Sequence, residues 1–399
     1  MPDISKKTFI WAIIGLIVLR IILMILVMNN IPDTGMRDGG FRPTFTESYH
    51  PDEDEIFDMG RALASGKVID RVPNVGYPIF LMPIIYFTNA HAAPDITKQV
   101  FILQAFILFS LAIILVALLG RKIFFSRKLA MIGTVLFTVY PWLLFGFFKL
   151  ANYDNAVPAF HYQLWMFILT DYLSAILVYL SFYLFFKFFK DNNPDVGHIK
   201  TARLTFLAAT TGFALLTRIG NIWLLIAILG TLLCFKKIKE SFKFTLLFSV
   251  FYLPQLIYNT LTFGAPWRFG YAYAARYSEG GGINFGFHNL FNVYFGISKL
   301  WLNFKSFSPD YYPIWFIFVS TFLILVSVLG FKYLRRINKT FAIITIVWFW
   351  SYILFYWSFD ISLSQLRYFL PAVPAFVFLF IGAMIYGINK IYEYRKLSY

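Results

Sequence analysis

Ten stretches of about 20 apolar residues, each closed off by charges or turn residues, recur along this 399-residue chain. They run approximately from 9 to 28, 99 to 119, 129 to 149, 165 to 187, 203 to 217, 221 to 235, 243 to 262, 313 to 331, 341 to 358 and 368 to 388. A helix of that length matches the hydrocarbon thickness of a bilayer, and only hydrogen-bonded helices or closed barrels satisfy their backbone there. The fifth and sixth runs are short and meet at Arg218, so they read either as two elements or as one broken one. With 59% hydrophobic and 14% charged residues, the chain is too apolar for a soluble fold to bury. The expected class is an all-α polytopic integral membrane protein of about ten transmembrane helices, a single domain over residues 1–399.

The first run resembles a secretory leader because Lys6 and Lys7 precede it. It is longer than the roughly 7 to 15 residues of a leader's apolar region, and no Ala-x-Ala cleavage site follows, so it reads as a retained span. The single cysteine, Cys234, excludes an internal disulfide and reads as a small core residue.

The net charge of +15 would suggest a nucleic-acid partner in a soluble protein; in a membrane protein its position matters more than its total. With the N-terminus inside, 21 basic and five acidic residues fall in the segments around Lys6, Arg121 to Lys128, Lys187 to Arg203, Lys236 to Lys243, Lys332 to Lys339 and Lys390 to Lys396. That bias predicts cytoplasmic N- and C-termini and no nucleic-acid partner. The opposite face then receives the long connections 29 to 98, 150 to 164 and 263 to 312, and a short one from 359 to 367. Function is expected on that face. Within the first of these, 51 to 65 has a helical rhythm and 77 to 87 is apolar but too short to span, so both are expected to be interfacial helices.

His50-Pro51-Asp52-Glu53-Asp54-Glu55 sets four carboxylates in a row at what reads as a helix start, where acids are favoured by the dipole and the free N–H groups. A capped, water-facing helix terminus accounts for it as well as a catalytic cluster does. Glycosyl transfer to a hydroxyl needs a base, and a carboxylate serves that purpose. Neighbouring acids can hold the acceptor, orient the base or bind a divalent cation.

Five segments taken together resemble the GT-C superfamily, specifically the dolichyl- or polyprenyl-phosphate-sugar transferases such as the protein O-mannosyltransferases and the aminoarabinose transferase of lipid A. Asp52-Glu53, with Ile56, Arg61, Leu63 and Gly66 after it, is similar to that family's Asp-Glu motif in the first external loop. Tyr77-Pro78-Ile79-Phe80-Leu81, followed by Gln104-Ala105-Phe106 and Leu119-Gly120-Arg121-Lys122-Ile123-Phe124, resembles its next succession. Gly212-Phe213-Ala214-Leu215-Leu216-Thr217-Arg218 looks like the pattern joining two short spans. Pro254 to Asn259 with Phe263-Gly264-Ala265-Pro266-Trp267, and Leu366-Arg367-Tyr368-Phe369-Leu370-Pro371-Ala372-Val373-Pro374, match a span exit and a late helix start. The tandem Asp-Glu-Asp-Glu leaves open which acid is the base, and no soluble domain follows the last span.

The resemblance implies a membrane glycosyltransferase of the cell envelope, mannosyltransferase-like and inverting. It would use a polyprenyl-phosphate sugar donor reached through membrane lipid and an acceptor that is a protein, a lipid or a glycan. Asp52 and Glu53 would be catalytic, while Arg218 and Arg367 would grip the donor phosphate, because guanidinium binds phosphate bidentately. Tyr77, Arg268, Asp154 and Glu55 are weaker substrate-binding candidates, with Arg61, Arg71 and Arg276 behind them. Each has a plainer reading: a snorkelling or ion-paired arginine, an aromatic-belt tyrosine, a turn-forming aspartate.

Asp171 lies inside the fourth run and reads as a buried hydrogen-bonding group of the bundle. His50, His91, His161, His198 and His288 show no zinc spacing. The scheme requires no cofactor, although the acidic run could bind a divalent cation. The glycines of Ser278 to Gly282 lack the strand–helix setting of a nucleotide cradle. A lipid-linked glycan polymerase or ligase and a secondary transporter are the alternatives. The first predicts transfer of long glycans, the second uptake into proteoliposomes.

Overall fold

The computed structural model describes residues 3–30, 51–69, 71, 74–150, 169–190, 193–196, 200–268, 312–357 and 363–397. In chain order its helices are α1 (Lys6–Asn30), α2 (Pro51–Ala64), α3 (Gly76–Thr88), α4 (Thr97–Ile102), α5 (Phe109–Phe124), α6 (Arg127–Leu150), α7 (Asp171–Phe186), α8 (Thr201–Thr217), α9 (Ile222–Cys234), α10 (Ile238–Phe263), α11 (Tyr312–Ile337), α12 (Lys339–Trp357) and α13 (Val373–Leu397). A π-helical turn, Leu103–Leu108, joins α4 to α5 without a break. A 3-10 segment, Leu363–Ala372, leads into α13.

Most of the described residues in each of the ten apolar runs are helical. Among the described residues, six stretches are long and apolar enough to cross a membrane: Lys6–Ile25, Ala93–Phe124, Ile238–Phe263, Ile317–Ile337, Lys339–Tyr356 and Arg367–Glu393. Gly76–Thr88, Asp171–Phe186 and Ile219–Cys234 are apolar but shorter. Among the described residues, the departure from an all-α reading is a two-stranded antiparallel ribbon, β1 (Phe189–Lys190) with β2 (Asn193–Val196), in a basic connection.

Lipid-facing and protein-facing surfaces separate along single helices. On α10, Phe242, Leu246, Val250, Leu253, Ile257 and Leu261 are exposed, while Phe244, Phe248, Tyr252, Gln255 and Asn259 are buried. That division is a helix at the rim of a bundle with its outer stripe against acyl chains. The centre is aromatic. Trp348 of α12 is wholly buried and stacks on Phe182 of α7 at 4.2 Å between ring centroids. Its indole N–H donates to the Pro371 carbonyl at 2.9 Å, and the Tyr179 hydroxyl donates to Leu370 at 2.6 Å. These two bonds fasten the 3-10 segment to α12 and α7 just before α13 begins.

The basic segments gather at one end of the bundle. Phe341 contacts Phe125, Phe186 and Phe189, and Phe189 also contacts Phe235, so the ends of α5, α7, β1, α9 and α12 meet there. Asp3 joins them, accepting from the Lys128 amide at 2.9 Å at the start of α6. That bond, with help from Ser126, holds the Asp3 carboxyl below the usual carboxylate range. Because the folded value is depressed, the tether is present above the unfolded pKa and lost as pH falls through the folded one. Amide exchange at Lys128 should accelerate over that acid interval in the wild type, and an Asp3→Asn protein should show no such step.

Helices α11 and α13 approach each other closely. A Cβ placed on Gly330 would lie 2.2 Å from the Leu379 carbonyl oxygen, and Gly382 faces Gly330 across the crossing. Backbones touch there because both residues lack side chains, which is how helices associate where lipid offers no hydrophobic drive. Gly330→Ala should lower the thermal midpoint in detergent, with a cost of about 1–3 kcal/mol from overpacking. An unchanged midpoint would mean that the helices part without penalty.

Candidate functional site

At the end away from the basic segments, the helix of the acidic run docks on the short helix of the first loop. α2 packs along α3, with Ile56, Phe57 and Met59 of α2 and Tyr77, Leu81 and Ile85 of α3 all buried. The start of α3 in turn presses on the end of α8. A Cβ on Gly76 would fall 2.5 Å from the Leu216 and Thr217 backbone, so glycine is what allows α3 to approach the residues just before Arg218. Asn74 donates to the Leu215 carbonyl at 3.3 Å, and the Val75 amide donates to the Gln255 side chain of α10 at 3.0 Å.

Gln255 also donates to Asn259, whose side-chain amide donates to the Pro266 carbonyl at 2.9 Å. The Pro254 to Trp267 segment is therefore fastened to the Tyr77 segment. Tyr258 of the same helix bonds Ile69 and Arg71.

Helix α8 stops at Thr217 because Arg218 is extended, with φ −156° and ψ 127°. A single 3-10 turn, Ile219–Asn221, then starts α9. The fifth and sixth apolar runs are two helices. Arg218 forms an ion pair with Asp171, the first residue of α7, and the two side chains keep 13% and 2% of their exposure. The Arg218 guanidinium also lies 4.1 Å from the centre of the Tyr368 ring, and Arg367 lies 5.3 Å from the same ring. One tyrosine thus carries both arginines, with Tyr356 stacked on it at 5.2 Å.

Beneath the pair, Asn221 is wholly buried, donating to Ser174 and to the Ala214 carbonyl and accepting from the Tyr352 hydroxyl at 2.7 Å. This network locks the break to α7 and α12.

Arg218, Arg367 and Tyr77 belong to this end of the bundle, and Tyr77 lies within electrostatic reach of both Glu53 and Asp171. Glu53 keeps only 1% of its exposure, so it faces the protein interior. Helical phase turns it toward α3 along with Phe57. Asp54 and Glu55 are half-buried on the same helix. The Asp52 backbone belongs to α2, while its side chain lies outside the described residues, as do Asp154, Arg276 and the Ser278 to Gly282 glycines.

Arg268 is exposed and donates to the Phe263 carbonyl at 3.0 Å, closing the end of α10. Arg61 donates to the His91 carbonyl at 2.7 Å, and Arg71 pairs with Asp58 at 3.1 Å. Each of these three weaker candidates has a local partner. Among the described residues, no group of three or more His, Cys, Asp or Glu could hold a metal ion.

Sequence reasoning missed the Asn221 hub and the stacked tyrosines Tyr356 and Tyr368. The only sequence signal for the hub was a polar Gly-Asn following an arginine between two apolar runs. It also treated Asp171 as a generic bundle hydrogen bond, although Asp171 is the counter-ion of Arg218.

Removing one partner of a buried pair leaves an uncompensated charge and costs about 3–5 kcal/mol, whereas removing both is far milder. Arg218→Gln and Asp171→Asn should each lower the melting temperature more than the double substitution does. Additive losses in that cycle would show that the pair is not coupled. No family model, curated protein or solved structure matches this chain.

Proposed function

We propose that this protein is a membrane-embedded glycosyltransferase that takes a sugar from a polyprenyl-phosphate carrier on the non-cytoplasmic face of the plasma (inner) membrane. The reading includes ten membrane crossings with both termini in the cytoplasm. Its main support is the packing of the acid-bearing α2 on α3, and of α3 on the helix break where Arg218 and Arg367 share Tyr368.

In this reading the donor phosphate meets the partly open face of Arg218 and the guanidinium of Arg367. Asp171 holds Arg218 in position, as a positioning residue. A carboxylate of α2 accepts the proton of the acceptor hydroxyl as that oxygen attacks the anomeric carbon. The bond from that carbon to the phosphate oxygen breaks, and polyprenyl phosphate leaves with the electron pair, its charge met by the two arginines. Attack opposite the leaving group inverts the anomeric centre. Asp52 is the chosen base, and the buried Glu53 fixes the pitch of α2 beside Tyr77.

The test is release of polyprenyl phosphate by purified protein in lipid, supplied with a panel of polyprenyl-phosphate sugars. Asp52→Asn should abolish turnover, and Arg367→Gln should lower kcat/KM by about 100-fold, the usual loss for one oxyanion donor. Unchanged turnover in both variants, with normal expression, would overturn the reading.

One observation favours a different class. A buried Asp171–Arg218 pair at a helix break is also the architecture of a secondary transporter's midplane site. Uptake of a solute into proteoliposomes, without release of lipid phosphate, would establish that alternative.

A further inference from the structure

At the basic end, helices α8 and α10 start side by side and run parallel. Gly212 of α8 meets Phe248 and Phe251 of α10, and further along both helices Asn74 and Val75 reach Leu215 and Gln255. Counting nine residues back from the Gly212–Phe251 contact on each helix brings Arg203 level with Phe242, because both helices rise at the same rate. Lys239 and Lys243 flank Phe242 within one turn, and all three cations are exposed. From Lys200 to Lys243 the chain has one acid, the half-buried Glu240.

A fourth exposed cation stands at the turn just before α10. Lys236 has φ 55°, in the left-handed region. Its amide donates to the Leu233 carbonyl at 2.8 Å, and the Lys237 amide donates to Leu232 at 2.9 Å. That pair of bonds closes α9 in the way that ordinarily uses glycine at this residue. Phe235 anchors the turn against Phe189, with ring centroids 5.5 Å apart. A lysine strains the backbone where glycine would not, so the turn's geometry does not account for it. What the position gains is a charge held at the start of α10.

Beside these cations begins an apolar stripe. Ile238, Phe242, Leu246 and Val250 are exposed at four-residue spacing along α10, and Phe206 of α8 is exposed close to the level of Phe242. Clustered cations at the membrane surface attract anionic headgroups, and a stripe leading away from them suits acyl chains. We infer that Arg203, Lys236, Lys239 and Lys243 bind the headgroup of an anionic phospholipid whose chains lie along the α10 stripe. The site rests on the bundle's place in a bilayer and is independent of the proposed sugar transfer.

The test places the full-length protein in nanodiscs of phosphatidylcholine, with phosphatidylglycerol replacing an increasing share, and follows the thermal midpoint. Lipid retained after detergent extraction from an equimolar mixture is counted by mass spectrometry. The wild type should gain midpoint with phosphatidylglycerol and retain it in preference. Lys239→Gln combined with Lys243→Gln should lower the retained ratio of phosphatidylglycerol to phosphatidylcholine by about fivefold or more. Lys6→Gln combined with Lys7→Gln removes equal charge from exposed lysines of α1 and should leave that ratio unchanged. Lys236→Gly gives the turn its usual residue, so it should raise the midpoint in pure phosphatidylcholine while shrinking the gain from phosphatidylglycerol; a purely structural role for Lys236 would not move the two in opposite directions. The inference is overturned if phosphatidylglycerol moves neither readout, or if the Lys6/Lys7 variant loses as much preference as the Lys239/Lys243 variant. It is equally overturned if the Lys239/Lys243 variant and Lys236→Gly both respond as the wild type does.

Discussion

A guanidinium within a bilayer-spanning bundle has to find its counter-charge or its hydration where it stands, since acyl chains supply neither. Arg218 finds Asp171, and much of the surrounding architecture follows from that pairing. The pair fixes the start of α7 against the end of α8. It also coincides with the extended residue that stops α8, so the chain turns where a charged side chain must be housed. Asn221, Ser174 and Tyr352 then satisfy polar groups released by the turn, which a membrane interior requires of any irregular backbone. Had Arg218 been apolar, α8 and α9 could have continued as one long helix.

Around this break, close backbone contact and aromatic stacking share the packing. Gly76 lets α3 lie directly on Leu216 and Thr217. Gln255 and Asn259 of α10 fasten the neighbouring loop with side-chain bonds. Tyr368 sets two arginines against one aromatic ring. Two cations close together invite a doubly charged oxyanion, and an acidic helix packed nearby offers a proton acceptor. The proposed sugar transfer draws on both. The same buried pair at a helix break also suits a transporter, and the two readings differ in whether a lipid phosphate leaves.

Much of the fold was legible in the residues themselves. Runs of apolar residues bounded by lysines and arginines became helices because length and backbone satisfaction leave no other spanning structure, and the basic clusters met at one end as their asymmetry implied. The helical rhythm from Pro51 and the apolar stretch from Tyr77 likewise formed α2 and α3. Arg218 was legible as a costly cation between two short spans. Its partner was not, because Asp171 precedes it by 47 residues and no local spacing links them.

The sequence by itself determined the solvent of this protein, the number of apolar runs and the end at which its cations collect, since these depend on composition along one dimension. Only the tertiary structure decided which charges meet. It turned Glu53 inward against α3 while leaving Glu55 half-buried, drew Arg367 and Arg218 onto one tyrosine, and enclosed Arg20 between the rings of Phe109 and Trp142. Those outcomes depend on helix rotation and on crossings set by residues such as Gly76 and Gly330, where one added carbon would move a helix. A charge's partner is fixed by that three-dimensional packing, because electrostatic attraction depends on distance in space and takes no account of separation along the chain.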